Sequence, residues 1–375
     1  MNANEVRLGI IGTGNMGRGH ARTVLEGLGG RNRLAAVADS NAECLAQLQM
    51  PDRVARFSSA SELMESGLVD AVLIATPHFS HPSLAQEALR RGLHVLVEKP
   101  VAVDVQSARA LAAAPRRAGQ VFAAMFNQRT DPCYQRLRAL LRDGELGRVQ
   151  RINWIITDWY RPDAYYASGT WRATWAGEGG GVLLNQCPHQ LDLWQWLFGM
   201  PLHVQAWCQM GRYHDIEVED DVTAVMHYAD GASGVFIAST GEAPGTNRLD
   251  VAADRGRVVV EGGRIVFTRN EVPASEFSRT TKDLFGAPPV RHLEFPVGGS
   301  GPQHAGVLKN FADAILDGVP LIAPGDEGVH SVELANAMLY TSATARRISL
   351  PLDGAAYRAW LETRMAGSRF KAERS

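Results

Sequence analysis

Short apolar runs alternate with amphipathic segments over the first 125 residues. Runs at 6–11, 34–38, 71–75, 94–97 and 121–125 show no polar alternation, which predicts strands buried on both faces of a parallel sheet. Between the third and fourth of these runs, Leu84, Ala85, Ala88 and Leu89 recur at helical spacing. Gly92 ends that pattern, so a crossover helix is predicted over 82–91. Beyond Phe126 the texture changes: 148–159 reads as a long strand, and runs at 222–228 and 233–238 flank a turn at Ala229, Asp230 and Gly231. Further hairpin signals stand at 254–256 and at Gly262-Gly263. The expectation is an α/β chain with a doubly wound parallel sheet over 1–126, then an α/β domain over 127–375 built on an open, largely antiparallel sheet. Residues 273–289 are polar and proline-bearing and are expected to form a long surface loop.

The first apolar run leads into Gly12-Thr13-Gly14-Asn15-Met16-Gly17. In a strand-turn-helix context, this spacing holds a dinucleotide pyrophosphate. Its first glycine makes the tight turn, the second admits the phosphates and the third lets helix pack on strand. The second run ends in Asp39, 22 residues beyond Gly17. A carboxylate there accepts both hydroxyls of an adenine ribose and repels a 2′-phosphate, so NAD is the expected cofactor.

The bulk properties narrow the rest. Lys and Arg total 38 against 40 Asp and Glu, a formal net charge of −2, which argues against nucleic acid or an anionic membrane as partner. The 375 residues suit two domains of ordinary size. Cys44, Cys133, Cys187 and Cys208 are scattered without C-x-x-C spacing, as expected of a reducing compartment and unlike a disulfide framework or zinc site. Met1 to Glu5 carry no signal-peptide pattern and no run reaches membrane-spanning length, so the expectation is a cytoplasmic protein with no metal.

Two constellations carry candidate chemistry. Glu98-Lys99-Pro100 follows the fourth run, at the carboxyl edge where open parallel sheets bind ligands. A lysine there can hold a substrate hydroxyl and polarise the carbonyl that forms. The second is Gly179-Gly180-Gly181 leading into a helix predicted to run to about Phe198. On one helical path Asn185, His189 and Asp192 share a face, with His189 as general base, Asn185 orienting and Asp192 supporting the imidazole. The alternative is that Asn185 or Pro188 merely starts the helix and the others are ordinary polar residues.

The amino-terminal glycine turn, Thr76-Pro77 with His81 shortly after, Glu98-Lys99-Pro100, and the glycine run leading to a His three residues before an Asp together resemble the Gfo/Idh/MocA oxidoreductases. The resemblance covers almost the whole chain, through helices near 311–315 and 329–346. It implies a Rossmann domain joined to an open-faced α/β domain, a nicotinamide cofactor, and oxidation or reduction at a carbon of a sugar, glycoside or cyclitol. By motif position Lys99 corresponds to the family's catalytic lysine and His189 to its catalytic histidine. Glu98 would lie near the nicotinamide ribose, and Asn127 and Arg129 match a polar pair entering the second domain. Gly12, Gly14, Asn15, Met16, Gly17, Asp39, Thr76, Pro77, His81, Glu98, Lys99 and Asn127 form the expected cofactor set. Many family dehydrogenases have Asp where this chain has Asn185, and an amide cannot relay a proton, which moves the base to His189 or Lys99.

Ahead of the glycine run lies a segment rich in aromatic residues and arginine. Trp154 and Trp175 are expected in the core, whereas Tyr160, Arg161, Trp171 and Arg172, with Arg129, Lys99, Asn185 and His189, are expected at a carbohydrate, because rings stack on sugars and guanidiniums bind anions. Three readings follow: a dehydrogenase acting on a secondary hydroxyl, an NAD-dependent glycosidase working by transient oxidation, with an anionic sugar as one candidate substrate, and a non-catalytic NAD-sensing regulator. A homodimer or homotetramer through the open sheet is expected.

Overall fold

The computed structural model describes residues 4–370, so Met1 to Ala3 of the amino-terminal reading lie outside the described residues. The chain forms two compact units. The first comprises residues 4–130, 177–179 and 302–332, and the second comprises 131–176, 180–301 and 333–370.

In the first unit six strands form one parallel sheet: β1 (Val6–Ile11), β2 (Asn32–Ala38), β3 (Ala55–Phe57), β4 (Ala71–Ile74), β5 (His94–Val97) and β6 (Phe122–Ala124). Their order is β3-β2-β1-β4-β5-β6, so the chain reverses direction of winding between β1 and β4, where open sheets bind dinucleotides. Five of the six were predicted. The exception, β3, has three half-exposed or exposed residues at the sheet edge, too short and too wet to leave an apolar run. The predicted crossover helix is His81–Arg91, and Gly92 at φ 87° ends it.

The sheet is apolar on both faces. One layer includes Val72, Val95, Leu111 and Phe126; the other includes Leu8, Leu73, Leu308 and Phe311. The last two belong to the Gln303–Asp317 helix, which returns to this unit from far along the chain. Asn32 Nδ2 donates to the Leu308 carbonyl at 2.7 Å, and Arg31 pairs with Asp313 at 2.8 Å, fixing that helix against β2. Burying Phe311 alone contributes about 2–3 kcal/mol.

The second unit is built on nine strands: β7 (Val149–Ile156), β8 (His203–Met210), β9 (Glu219–His227), β10 (Ser233–Ser239), β11 (Asn247–Ala253), β12 (Gly256–Glu261), β13 (Arg264–Asn270), β14 (Val290–Pro296) and β15 (Ile348–Ser349). Their order is β14-β13-β12-β11-β7-β10-β9-β8-β15, antiparallel throughout except for the β7–β10 pair. The hairpin signals hold: Ala253 faces Gly256, and Glu261 faces Arg264 across Gly262-Gly263. One face packs on the Pro188–Phe198 helix, whose Trp194 stacks on Trp154 at 6.4 Å, meets Phe236 edge-on at 5.9 Å and donates to the Tyr228 hydroxyl at 2.6 Å. Trp154 and Trp175 are buried, as expected of core residues. On the alternate positions of the strands, Trp207 and Val266 are exposed.

Two local expectations are corrected. Residues 273–289 are not a plain loop: Ala274–Thr280 is helical, with Phe277 N–H and Thr281 N–H closing on the Pro273 and Phe277 carbonyls. The helix expected to run unbroken to Phe198 is two helices, Val182–Asn185 and Pro188–Phe198, because Pro188 has no N–H to continue the ladder. Asn185 and His189 therefore do not share one continuous helical face, while His189 and Asp192 do lie on one helix. Among the described residues, no helix is long and apolar enough to cross a membrane.

Candidate functional site

The glycine turn leaves β1 through Gly12, whose φ of 89° and whose closeness to the Ala75 carbonyl oxygen, 2.6 Å from any added Cβ, both require glycine. At Gly17 an added Cβ would overlap the Gly12 carbonyl oxygen. Gly14 faces open space, and Gly14, Asn15 and Met16 are exposed at the start of the Asn15–Leu25 helix, whose first-turn N–H groups have no partner within the helix. At the end of β2, Asp39 Oδ2 accepts from the Thr13 N–H at 2.7 Å and hydroxyl at 2.8 Å, and Oδ1 accepts from the Asn41 N–H at 2.9 Å. Oδ1 keeps a further acceptor site. An open anion-binding turn beside a fixed carboxylate fits a dinucleotide.

The loops after β4 and β5 are tied together. His81 is buried with Nδ1 2.8 Å from the Pro100 carbonyl and Nε2 2.7 Å from the Thr76 carbonyl. Its ring thus braces the two loops, with both nitrogens engaged by backbone. Thr76 Oγ1 lies 2.7 Å from Ser80 Oγ, and Pro77 is exposed beside them. The neighbouring His78 is also buried, which pulls its pKa down to about 3.

Glu98 is 4% exposed at the end of β5. Its Oε1 is 2.6 Å from His20 Nε2, and its Oε2 accepts the Lys99 N–H at 3.1 Å. Burial pushes the Glu98 pKa up, but the hydrogen bond and charge of His20, with the charges of Lys99 and His304, hold it well below the usual carboxylate range. His20 was missed by sequence reading. The signal was its phase: Gly17, His20, Ala21 and Val24 form the buried stripe of the first helix.

Asn127 Nδ2 donates to Gln303 Oε1 at 2.6 Å, while its buried Oδ1 has no hydrogen-bond partner, an acceptor left for a ligand donor. Arg129, expected at the substrate, is instead engaged within the first unit. It is 1% exposed, and its Nη1 donates to Glu327 at 2.5 Å and to the Ile322 carbonyl at 3.2 Å. The buried guanidinium is thus paired with a Glu327 side chain that is 39% exposed, and freeing it would leave its charge unpaired.

In the second unit, Tyr165 gathers several of the expected residues. Its hydroxyl accepts from Arg172 Nη1 at 3.1 Å and Gln186 Nε2 at 3.3 Å, and reaches Asn185 Oδ1 at 3.5 Å. The Arg161 guanidinium lies 5.1 Å from the Tyr165 ring, and that of Arg172 lies 4.7 Å from both Tyr165 and Trp171. Arg161 Nη1 donates to the Tyr160 carbonyl at 3.0 Å, while Tyr160 itself is 48% exposed. The fold thus joins Arg161, Trp171, Arg172 and Asn185 through Tyr165 and Gln186. His189 is 8% exposed and Asp192 is fully buried, accepting from Gln195 at 3.2 Å.

Two buried acids on β9 hold this region from below. Glu219 accepts the Gly181 N–H at 2.8 Å and the Leu183 N–H at 3.0 Å, fixing the start of the Val182–Asn185 helix. Asp220 accepts the N–H groups of Arg212, Tyr213 and His214 at 2.8, 2.8 and 3.1 Å. Sequence reading began the strand at Val222 and missed both. Asp220 does stand in phase with buried Val222, Ala224 and Met226.

Burial pushes the Glu219 pKa up to about 7, against the pull of those N–H groups. Its ordinary value is 4.5, so between about pH 4.5 and 7 the folded chain keeps a proton that the unfolded chain has shed. That contribution to stability is full at low pH and is lost as pH rises through 7. Relative to the non-titrating Glu219→Gln protein, wild-type stability is expected to fall by about 3 kcal/mol between pH 4.5 and 7.5. Denaturant unfolding across pH measures it, and identical pH dependence of the two proteins would refute it.

The model of an oxidoreductase family with an NAD-binding Rossmann fold matches residues 6–126, and that of the Gfo/Idh/MocA carboxyl-terminal domain matches 134–259. This chain belongs to the Gfo/Idh/MocA oxidoreductase family. It is similar to an inositol 2-dehydrogenase of Rhizobium meliloti, 26% identical over 92% of this chain and 99% of the relative. A myo-inositol dehydrogenase of Streptomyces leeuwenhoekii is 30% identical over 66% of this chain and 74% of the relative. The WlbA dehydrogenase of Bordetella pertussis, solved in complex with NADH and UDP-GlcNAcA, superposes with a TM-score of 0.77 at 26% identity, over 93% of this chain and all of that one. As a Gfo/Idh/MocA protein with a glycine turn and Asp39 that fit the dinucleotide, this chain is an NAD-dependent oxidoreductase.

Proposed function

We propose that this chain is a dehydrogenase that oxidises a secondary hydroxyl of a sugar or cyclitol. The observation that carries the reading is Lys99, placed directly after a buried Glu98 hydrogen-bonded to His20 at the carboxyl end of β5 in an NAD-binding unit. The inositol dehydrogenases and the nucleotide-sugar complex among its relatives support the substrate class.

Bound NAD supplies the hydride acceptor. Gly12, Gly14, Asn15, Met16 and Gly17 would hold its pyrophosphate. Asp39 would hold the adenine ribose, and Glu98, Thr76, Pro77 and Asn127 its nicotinamide end, with His81 fixing the loops. Lys99 would bind the reacting hydroxyl, Lys99 or His189 would take its proton, and Asn185 would orient the substrate. Tyr160, Trp171, Arg161 and Arg172 would bind the rest of the sugar, with the two guanidiniums favouring an anionic substituent. Trp207 and Val266 on the open sheet would pack on a second copy, giving a homodimer or homotetramer.

The test is a panel of cyclitols, neutral sugars, uronates and nitrophenyl glycosides incubated with the protein and NAD, following NADH and nitrophenol together. Sustained NADH formation from a polyol or sugar is the expected result. Nitrophenol release that requires NAD yet accumulates no NADH selects redox-neutral glycoside cleavage instead, favoured by Asn185 in place of a carboxylate. Tight NAD binding without turnover across the panel overturns both.

A further inference from the structure

His20, Glu98 and His304 come from three separate elements of the first unit, the Asn15–Leu25 helix, the end of β5 and the Gln303–Asp317 helix. His20 is 2% exposed, bonded to Glu98 at 2.6 Å on one side, with the His304 ring 5.4 Å from it on the other. A carboxylate buried this deeply is retained only when compensated, and a contact of this length is that of a charge-assisted hydrogen bond. The Lys99 charge is felt by Glu98, His304, His78 and His81, so these groups and His20 share one electrostatic environment in this unit.

A bare carboxylate next to Lys99 would hold its amine protonated, whereas an amine that binds a reacting hydroxyl must exchange its proton near neutral pH. Burial works against a positive charge on His78, His81 and half-buried His304, which leaves the hydrogen-bonded His20 as the partner of that carboxylate. We propose that His20, by donating its Nε2 proton to Glu98, offsets the Glu98 charge beside Lys99 and so sets the proton affinity of its amine. His20 is then a positioning and tuning residue that touches neither cofactor nor substrate, and Glu98 is held in place for the ribose by the same bond.

The proposal rests on Lys99 being the proton-handling amine of the dehydrogenase, but it can be read without turnover. Competitive labelling of the apoprotein with trace acetic anhydride across pH, quantified at the Lys99 peptide by mass spectrometry, gives the amine's pKa. Wild type is expected below the ordinary lysine value of about 10.4. His20→Gln is expected to raise it by about one unit, because Glu98 is left bare. The double variant His20→Gln/Glu98→Gln is expected to return close to wild type, because no net charge remains. In active protein the acid limb of the kcat/KM profile shifts upward with His20→Gln.

No shift with His20→Gln, or a shift that persists in the double variant, overturns the proposal. Should His20→Gln fail to fold, nitrogen-15 NMR of wild-type histidines decides, with a His20 Nε2 that carries no proton at pH 7 overturning it. Absence of sugar turnover in wild type would remove the dehydrogenase reading and leave the labelling result standing.

Discussion

Lys99→Met is expected to lower kcat about a thousandfold while NAD affinity stays within about threefold of wild type. Methionine keeps the length and apolar stem of the side chain but removes the amine that would bind the substrate hydroxyl and exchange its proton. The cofactor groups on the glycine turn and Asp39 are untouched. Lys99→Arg is expected to rescue poorly, because a guanidinium does not release its proton and spreads its charge over a plane. Steady-state kinetics with calorimetric NAD titration separates the effects. Full turnover in the Lys99→Met protein would remove Lys99 from the reaction, and parallel loss of NAD binding would assign it to the cofactor.

The second large effect belongs to Gly17. Its missing Cβ is the space in which the first helix lies on the Gly12 carbonyl, and that obstacle is backbone, not a flexible side chain. Gly17→Ala must therefore push the Asn15–Leu25 helix away from β1. A cost of about 3 kcal/mol or more is expected, seen as a fall in melting temperature of roughly 6–12 °C, with NAD binding lost. Gly14→Ala is the contrast: an added methyl meets nothing within 4 Å, so the protein should fold normally and lose affinity only because the phosphates need that space. Thermal melts and NAD titration of both proteins check the pair. Equal stability of the Gly17→Ala protein would refute the close-approach account.

The difference between these glycines shows what was legible and what was not. Spacing identified the turn, and the apolar runs identified the strands on either side of it, because both signals are local. Spacing did not say which glycine opens on solvent and which lies under a carbonyl. The same limit appears at Arg129. Its sequence neighbourhood pointed to a substrate, but its charge is taken up by Glu327, 198 residues away. Pattern reading ran a single helix through Asn185 and His189 because their four-residue spacing suits one. The proline between them mattered more, and two short helices resulted.

By itself the sequence determined a doubly wound sheet with a dinucleotide turn, a second sheet of hairpins, and the residue types available for chemistry. Each of these depends on backbone period and on side chains within about 30 residues of one another. Only the tertiary structure decided that the Gln303–Asp317 helix returns to cover the first sheet, that His20 meets Glu98 across 78 residues, and that Glu219 grips the Gly181 and Leu183 amides. An apolar stripe or a lone acid specifies that it must be buried or paired, but not against what. The partner is chosen by the packing of elements far apart in the chain, where burial turns an ordinary carboxylate or imidazole into a group that holds the site in place.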